Sequence, residues 1–142
     1  MNKPHAPKIL IIDDNGGDVE LLRYAFNALN FEYELLVLEN GEDALKFIRH
    51  HCDCPAPCVV VLDLHLPGAD GFTVLKAIRS DPVLASVKVV VVSTSISPQE
   101  QAKLASVGAD LYREKPYDIQ SFMTLGELIV DICQQNVRKA AV

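Results

Sequence analysis

No apolar stretch of this 142-residue chain approaches the roughly 18 residues needed to span a bilayer, so no membrane span is expected. Basic clusters are missing too. None of the 13 Lys and Arg residues forms a run longer than Arg138-Lys139, and the formal net charge is -6. Neutralising nucleic-acid phosphates takes clustered cations, which excludes a general nucleic-acid binder. The opening segment, Met1 to Lys8, is short and polar and does not carry the apolar stretch of a secretory signal. Cytosolic placement is therefore the expectation. Internal repeats and low-complexity segments are also lacking, and the 49% of hydrophobic residues suffice for one core. We read 1–142 as a single domain with its core at about 8–135.

Cysteines in paired metal-ligand spacing are absent as well. Three of the four cysteines fall within His50-His51-Cys52-Asp53-Cys54-Pro55-Ala56-Pro57-Cys58. As ligands these would make a zinc or redox cluster, but no distant second pair completes it, and Cys58 opens an apolar strand. The competing expectation is a Pro-rich loop with reduced thiols, as is usual in the cytosol. Cys133, on the apolar face of a helix, is expected to pack.

What the chain does have is three short apolar runs that end in polar groups. Ile9-Leu10-Ile11-Ile12 runs into Asp13-Asp14, Val59-Val60-Val61-Leu62 into Asp63, and Val89-Val90-Val91-Val92 into Ser93. Continuous β-branched runs of this kind are the pattern of parallel strands buried on both faces. Open parallel sheets bind ligands beyond the carboxyl ends of their strands. Three carboxylates and a hydroxyl brought to that edge repel unless a cation or protons intervene, which points to a cation and phosphate site. Lys115-Pro116, after a short fourth apolar strand, supplies a positive charge.

The remaining pattern is a regular alternation. Strand one is expected over Lys8 to Asp13, then a break at Gly16-Gly17, then a helix from Asp18 with Val19, Leu22, Phe26 and Leu29 on one face. Strand two covers Glu34 to Glu39. Asn40-Gly41 opens a helix with Ala44, Leu45 and Ile48 on one side. Strand three covers Cys58 to Asp63, and the turn Pro67 to Gly71 leads to a helix with Phe72, Leu75 and Ile78 that stops at Asp81-Pro82. Strand four covers Lys88 to Ser93. Ser97-Pro98 opens a fourth helix to about Val107, with Gly108 as its stop. Strand five covers Asp110 to Glu114, and a last helix runs from about Ile119 to Val137 with Phe122, Leu125, Ile129 and Ile132 on one stripe. Five strands alternating with five helices imply right-handed crossovers and an α/β sheet covered on both faces.

Taken in order, Asp13-Asp14, Asp63 with Pro67 and Gly71 beyond it, Ser93 and Lys115-Pro116 resemble the receiver domain of two-component response regulators, from Lys8 to about Gln135. The resemblance implies a flavodoxin-like doubly wound sheet of order 2-1-3-4-5. It also implies a stand-alone regulator of the chemotaxis type or of the type paired with phytochrome-like kinases. Asp63 would then accept a phosphoryl group from the phosphohistidine of a sensor histidine kinase or phosphotransfer protein. Mg2+, with Mn2+ as a substitute, would be held by Asp13, Asp14, Asp63 and the backbone carbonyl of His65. Lys115 and the Ser93 hydroxyl would hold phosphoryl oxygens.

Ser93 and Tyr112 form the switch that the resemblance implies, with the Tyr112 ring moving between exposed and buried positions. Output to a downstream protein, or self-association, would use the fourth helix, fifth strand and fifth helix. Four features depart from the commonest receiver pattern. Thr94 stands where a smaller residue is usual, His65 and Ser95 flank the path of an attacking water, and Gly16-Gly17 makes the metal-side loop loose. Other readings are a flavin-binding module, which would want a Gly- and hydroxyl-rich first loop, and a receiver-like interaction protein that takes no phosphate. An aspartyl-phosphate hydrolase would need an acid two residues after its nucleophile, where this chain has His65.

Overall fold

The computed structural model describes residues 6–50 and 55–140. Five strands and five helices alternate: β1 (Lys8–Ile12), α1 (Gly16–Ala28), β2 (Glu34–Leu38), α2 (Gly41–His50), β3 (Val59–Asp63), α3 (Gly71–Ser80), β4 (Val89–Ser93), α4 (Pro98–Val107), β5 (Leu111–Glu114) and α5 (Ile119–Ala140). All strand pairs are parallel, in the order β2-β1-β3-β4-β5. The expected sheet order and helix count hold.

Side chains alternate across a strand with a period of two, and the core divides accordingly. Leu10, Ile12, Val60, Leu62, Val89 and Val91 face α2, α3 and α4, while Ile9, Ile11, Val59, Val61, Val90 and Val92 face α1 and α5. Every residue of β3 and β4 is buried, so the two central strands are covered on both sides. Their ends are in register, with Asp63 opposite Val92, and this places Ser93 one step beyond Asp63 on the neighbouring strand. Lys115 is brought to the same edge by its backbone, which donates a 2.7 Å hydrogen bond to the Ser93 carbonyl.

Local signals explain most boundaries. Ser97 and Glu100 form a reciprocal cap at the start of α4, with Pro98 in its first turn. Gly108 ends α4 in the left-handed region at φ 110°, where a side chain would be strained. Gly71 is required for space: a Cβ there would lie 2.7 Å from the Asp63 carbonyl oxygen, so only glycine lets α3 start against the end of β3. The expected break at Gly16-Gly17 is corrected, because both glycines belong to the first turn of α1. The Asn15 side chain caps that turn by accepting from the Asp18 amide at 3.1 Å, which offsets the weak helix preference of the pair.

The cysteine expectation also needs correction. Cys58 at the foot of β3 and Cys133 on α5 are joined in a disulfide, with a sequence separation of 75 and Cα atoms 4.9 Å apart. That separation suits a disulfide, and no spacing rule links two cysteines so distant in the chain. Cys133 is packed as expected, at 0% exposure, but neither of the pair is a reduced thiol. Cys52 and Cys54, the other members of the proposed cluster, lie outside the described residues.

Candidate functional site

Burial of polar groups singles out one place in the fold. Among the described residues three polar side chains are buried, Asp13, Asp63 and Ser93, and all three stand at the carboxyl ends of the central strands. Buried ionisable groups are costly unless paired, so their concentration at one edge asks for an electrostatic reason. Lys115 supplies part of it. Its Nζ lies 3.1 Å from an Asp63 oxygen, 3.2 Å from Asp13 and 2.9 Å from Asp18. The second Asp63 oxygen accepts from the His65 amide at 3.0 Å, and Asp13 accepts from the Asn15 amide at 2.9 Å.

The charges shift one another in opposite directions. Burial pushes the Asp13 carboxyl above its usual value, and the Asn15 amide and Lys115 do not fully reverse that push. Burial would lower Lys115, but the hydrogen bond it donates to Asp18 and the charges of Asp13 and Asp63 outweigh it and raise the ammonium. Lys115 therefore stays protonated at neutral pH. With Asp14 at the rim, four carboxylates share one ammonium.

That imbalance favours a further cation. One oxygen from each of Asp13, Asp14 and Asp63 lies within 4.8 Å of the others, and all are hard donors of the kind that suit a divalent ion. The three residues can hold such an ion. Above them opens a cavity of about 480 Å³ lined by Asp14, Asn15, Gly16, Asp63, His65, Thr94 and Lys115. It has room for a small anion beside Asp63. The Ser93 hydroxyl is turned to the Ser95 carbonyl, 3.4 Å away. Tyr112 sits on β5 opposite Val91 and is 38% exposed.

A sequence model of the response regulator receiver domain matches residues 9–125, most of the chain and every residue of this site. The chain belongs to that family. This receiver domain is 27% identical over 128 residues to response regulator Rcp1 of Synechocystis, with 87% of each chain covered. It is 33% identical over 114 residues to a probable methanogenesis regulatory protein, FilR2, of Methanothrix harundinacea, covering 79% of this chain and 74% of that one. Among solved structures, the phosphorylated cyanobacterial phytochrome response regulator RcpA superposes with a TM-score of 0.80 at 28% identity, covering 88% of this chain and 91% of that one. The Mn2+-bound form of Rcp1 superposes with a TM-score of 0.78 at 26% identity, covering 87% and 91%.

The geometry brings together Asp13, Asp14, Asp63 and Lys115, and it sets Ser93 and His65 beside them. Two partners were not singled out from the sequence. Asp18 was read only as the start of a helix, although a helix that starts close to the end of β1 carries its first-turn acid to the same edge. Glu100, whose Oε2 lies 3.8 Å from the His65 Nε2, was hidden because nothing in the spacing tells which loop α4 starts against.

Proposed function

We propose that Asp63 is the phosphoacceptor of this receiver domain and that a sensor histidine kinase or a phosphotransfer protein is its donor. In the transfer an Asp63 carboxylate oxygen forms a bond to phosphorus, and the bond from phosphorus to the donor imidazole nitrogen breaks with its electron pair left on the ring. Asp13, Asp14, Asp63 and the His65 carbonyl would hold Mg2+, or Mn2+ in its place. The bound ion would offset the repulsion between the attacking carboxylate and the phosphoryl oxygens. Lys115 then neutralises one phosphoryl oxygen, and the Ser93 hydroxyl leaves the Ser95 carbonyl to donate to another. Tyr112 follows by moving inward, and the face formed by α4, β5 and α5 carries the signal to a protein target or to a second copy.

The observation that carries this reading is the single ammonium of Lys115 set among Asp13, Asp18 and Asp63, with Asp63 in the centre of the sheet edge. A fold does not need that arrangement for its stability, whereas phosphoryl transfer does. The reading places 1–142 as one receiver domain in the cytoplasm, where kinase and donor are. There the Cys58–Cys133 bond meets cellular reductants, and its burial slows their attack. With a small acyl-phosphate donor and Mg2+, the wild type should gain one phosphoryl mass and Asp63→Asn none. Intact-mass measurement decides it; equal labelling of the two would remove Asp63 from its role, and chelation of Mg2+ should abolish labelling.

A further inference from the structure

We propose that Glu100 is a positioning residue for the aspartyl phosphate, holding the His65 ring across the mouth of the cavity so that water reaches the phosphorus more slowly. The inference rests on the reading of Asp63 as phosphoacceptor. His65 lines the cavity, and its backbone is fixed by the amide that donates to Asp63 at 3.0 Å. Its side chain is 54% exposed, so the ring stands at the opening. A solvated ring on such a loop would sample several rotamers. This one faces a carboxylate that cannot drift away.

Glu100 is anchored by its other oxygen. Oε1 accepts from the Ser97 amide at 2.9 Å while the Ser97 hydroxyl accepts from the Glu100 amide at 3.1 Å, which ties the carboxylate to the first turn of α4. Oε2 is left to face the ring 3.8 Å away. The pair thus runs from the loop after β3 to the start of α4. It spans the gap between the ends of β3 and β4, at whose base Asp63 and Ser93 lie.

Loss of the phosphoryl group needs that gap. A water oxygen bonds to phosphorus, the bond from phosphorus to the Asp63 oxygen breaks with its electron pair kept by the carboxylate, and the water's proton leaves to solvent as inorganic phosphate forms. A ring held over the opening hinders the approach of that water. The same contact makes α4 a sensor in reverse, because a partner that shifts the start of α4 also moves the His65 ring and so alters the phosphoryl lifetime.

The test follows loss of phosphoryl mass after removal of the acyl-phosphate donor, in wild type, Glu100→Gln, His65→Ala and the double variant, all with Mg2+. Glutamine still accepts from the Ser97 amide, since capping boxes use Glu or Gln, so α4 keeps its cap and only the charge facing His65 is removed. Circular dichroism melts of the single variants should overlay the wild type. Each single variant should lose phosphate roughly two- to fivefold faster, the range that an exposed pair of this kind can supply. The double variant should be no faster than His65→Ala. An unchanged lifetime in Glu100→Gln, or a Glu100→Gln effect that persists without His65, would overturn the proposal. Wild type that never takes phosphate would overturn the proposed function with it, whereas normal labelling with unaltered lifetimes removes this inference alone.

Discussion

Lys115 faces Asp13, Asp18 and Asp63 at 2.9 to 3.2 Å, so its removal leaves those carboxylates without a counter-charge while keeping every oxygen proposed to hold the metal. Lys115→Ala should therefore bind Mg2+ at least as tightly as wild type, whereas Asp14→Ala should lose affinity, and titration calorimetry compares them. A loss in Lys115→Ala as severe as in Asp14→Ala would mean that the lysine organises the metal site. A pH effect belongs to the same residue. Because the folded chain holds the ammonium above its ordinary value of 10.5, the stability Lys115 supplies is fully present below that pH and is lost as pH rises through the folded value. At this scale the sequence was informative where a polar residue ended an apolar run, as for Asp13, Asp63 and Ser93. It was silent on Asp18 and Glu100, whose roles arise from which helix ends meet which loops, and pairing across folded space leaves no spacing to read.

Helix α4 is held at its two ends by different neighbours. Its first turn meets His65 through Glu100, and its C-terminal cap is tied to α3 by Arg79, which donates to the Gly108 carbonyl at 2.8 Å and reaches Asp110 at 2.8 Å. A change at the Asp63 edge would therefore reach the start of the helix before its end. If movement of Ser93 toward the phosphoryl group is what admits the Tyr112 ring, a phosphate mimic can shift the population only by the difference in how the two arrangements hold that hydroxyl and ring. In NMR spectra with Mg2+ and beryllofluoride, wild-type shifts should reach Gln99 to Val107, and those of Ser93→Ala should stay near Asp63. Equal reach in both would move the coupling to another route. The elements themselves were legible because boundary signals are local: Ser97-Pro98 at the start of α4 and Gly108 at its end. The start of α1 was misjudged by two residues for the opposite reason, since Gly16-Gly17 reads as a break until the Asn15 cap is seen to hold the turn.

Across the whole molecule, sheet order and the two-sided core follow from the run of apolar residues and the short connections, and these were legible. The Cys58–Cys133 bond was not, because its partners meet only after β3 and α5 have packed on each other. Closing 75 residues into a loop restricts the unfolded chain, and the loop-entropy estimate is about 4 kcal/mol. Reductant should accordingly lower the urea midpoint of the wild type and leave that of Cys133→Ser unchanged. Coincident wild-type curves with and without reductant would show that the bond adds nothing. The bond also changes what kind of object the chain is. Between Cys58 and Cys133 the polypeptide is a closed ring that contains β3, α3, β4, α4, β5 and most of α5, with β1 to α2 leading into it as a tail. A protease that cuts one peptide bond anywhere in that ring opens it without releasing a fragment, so the strand ends that carry Asp63, Ser93 and Lys115 stay on one covalent body.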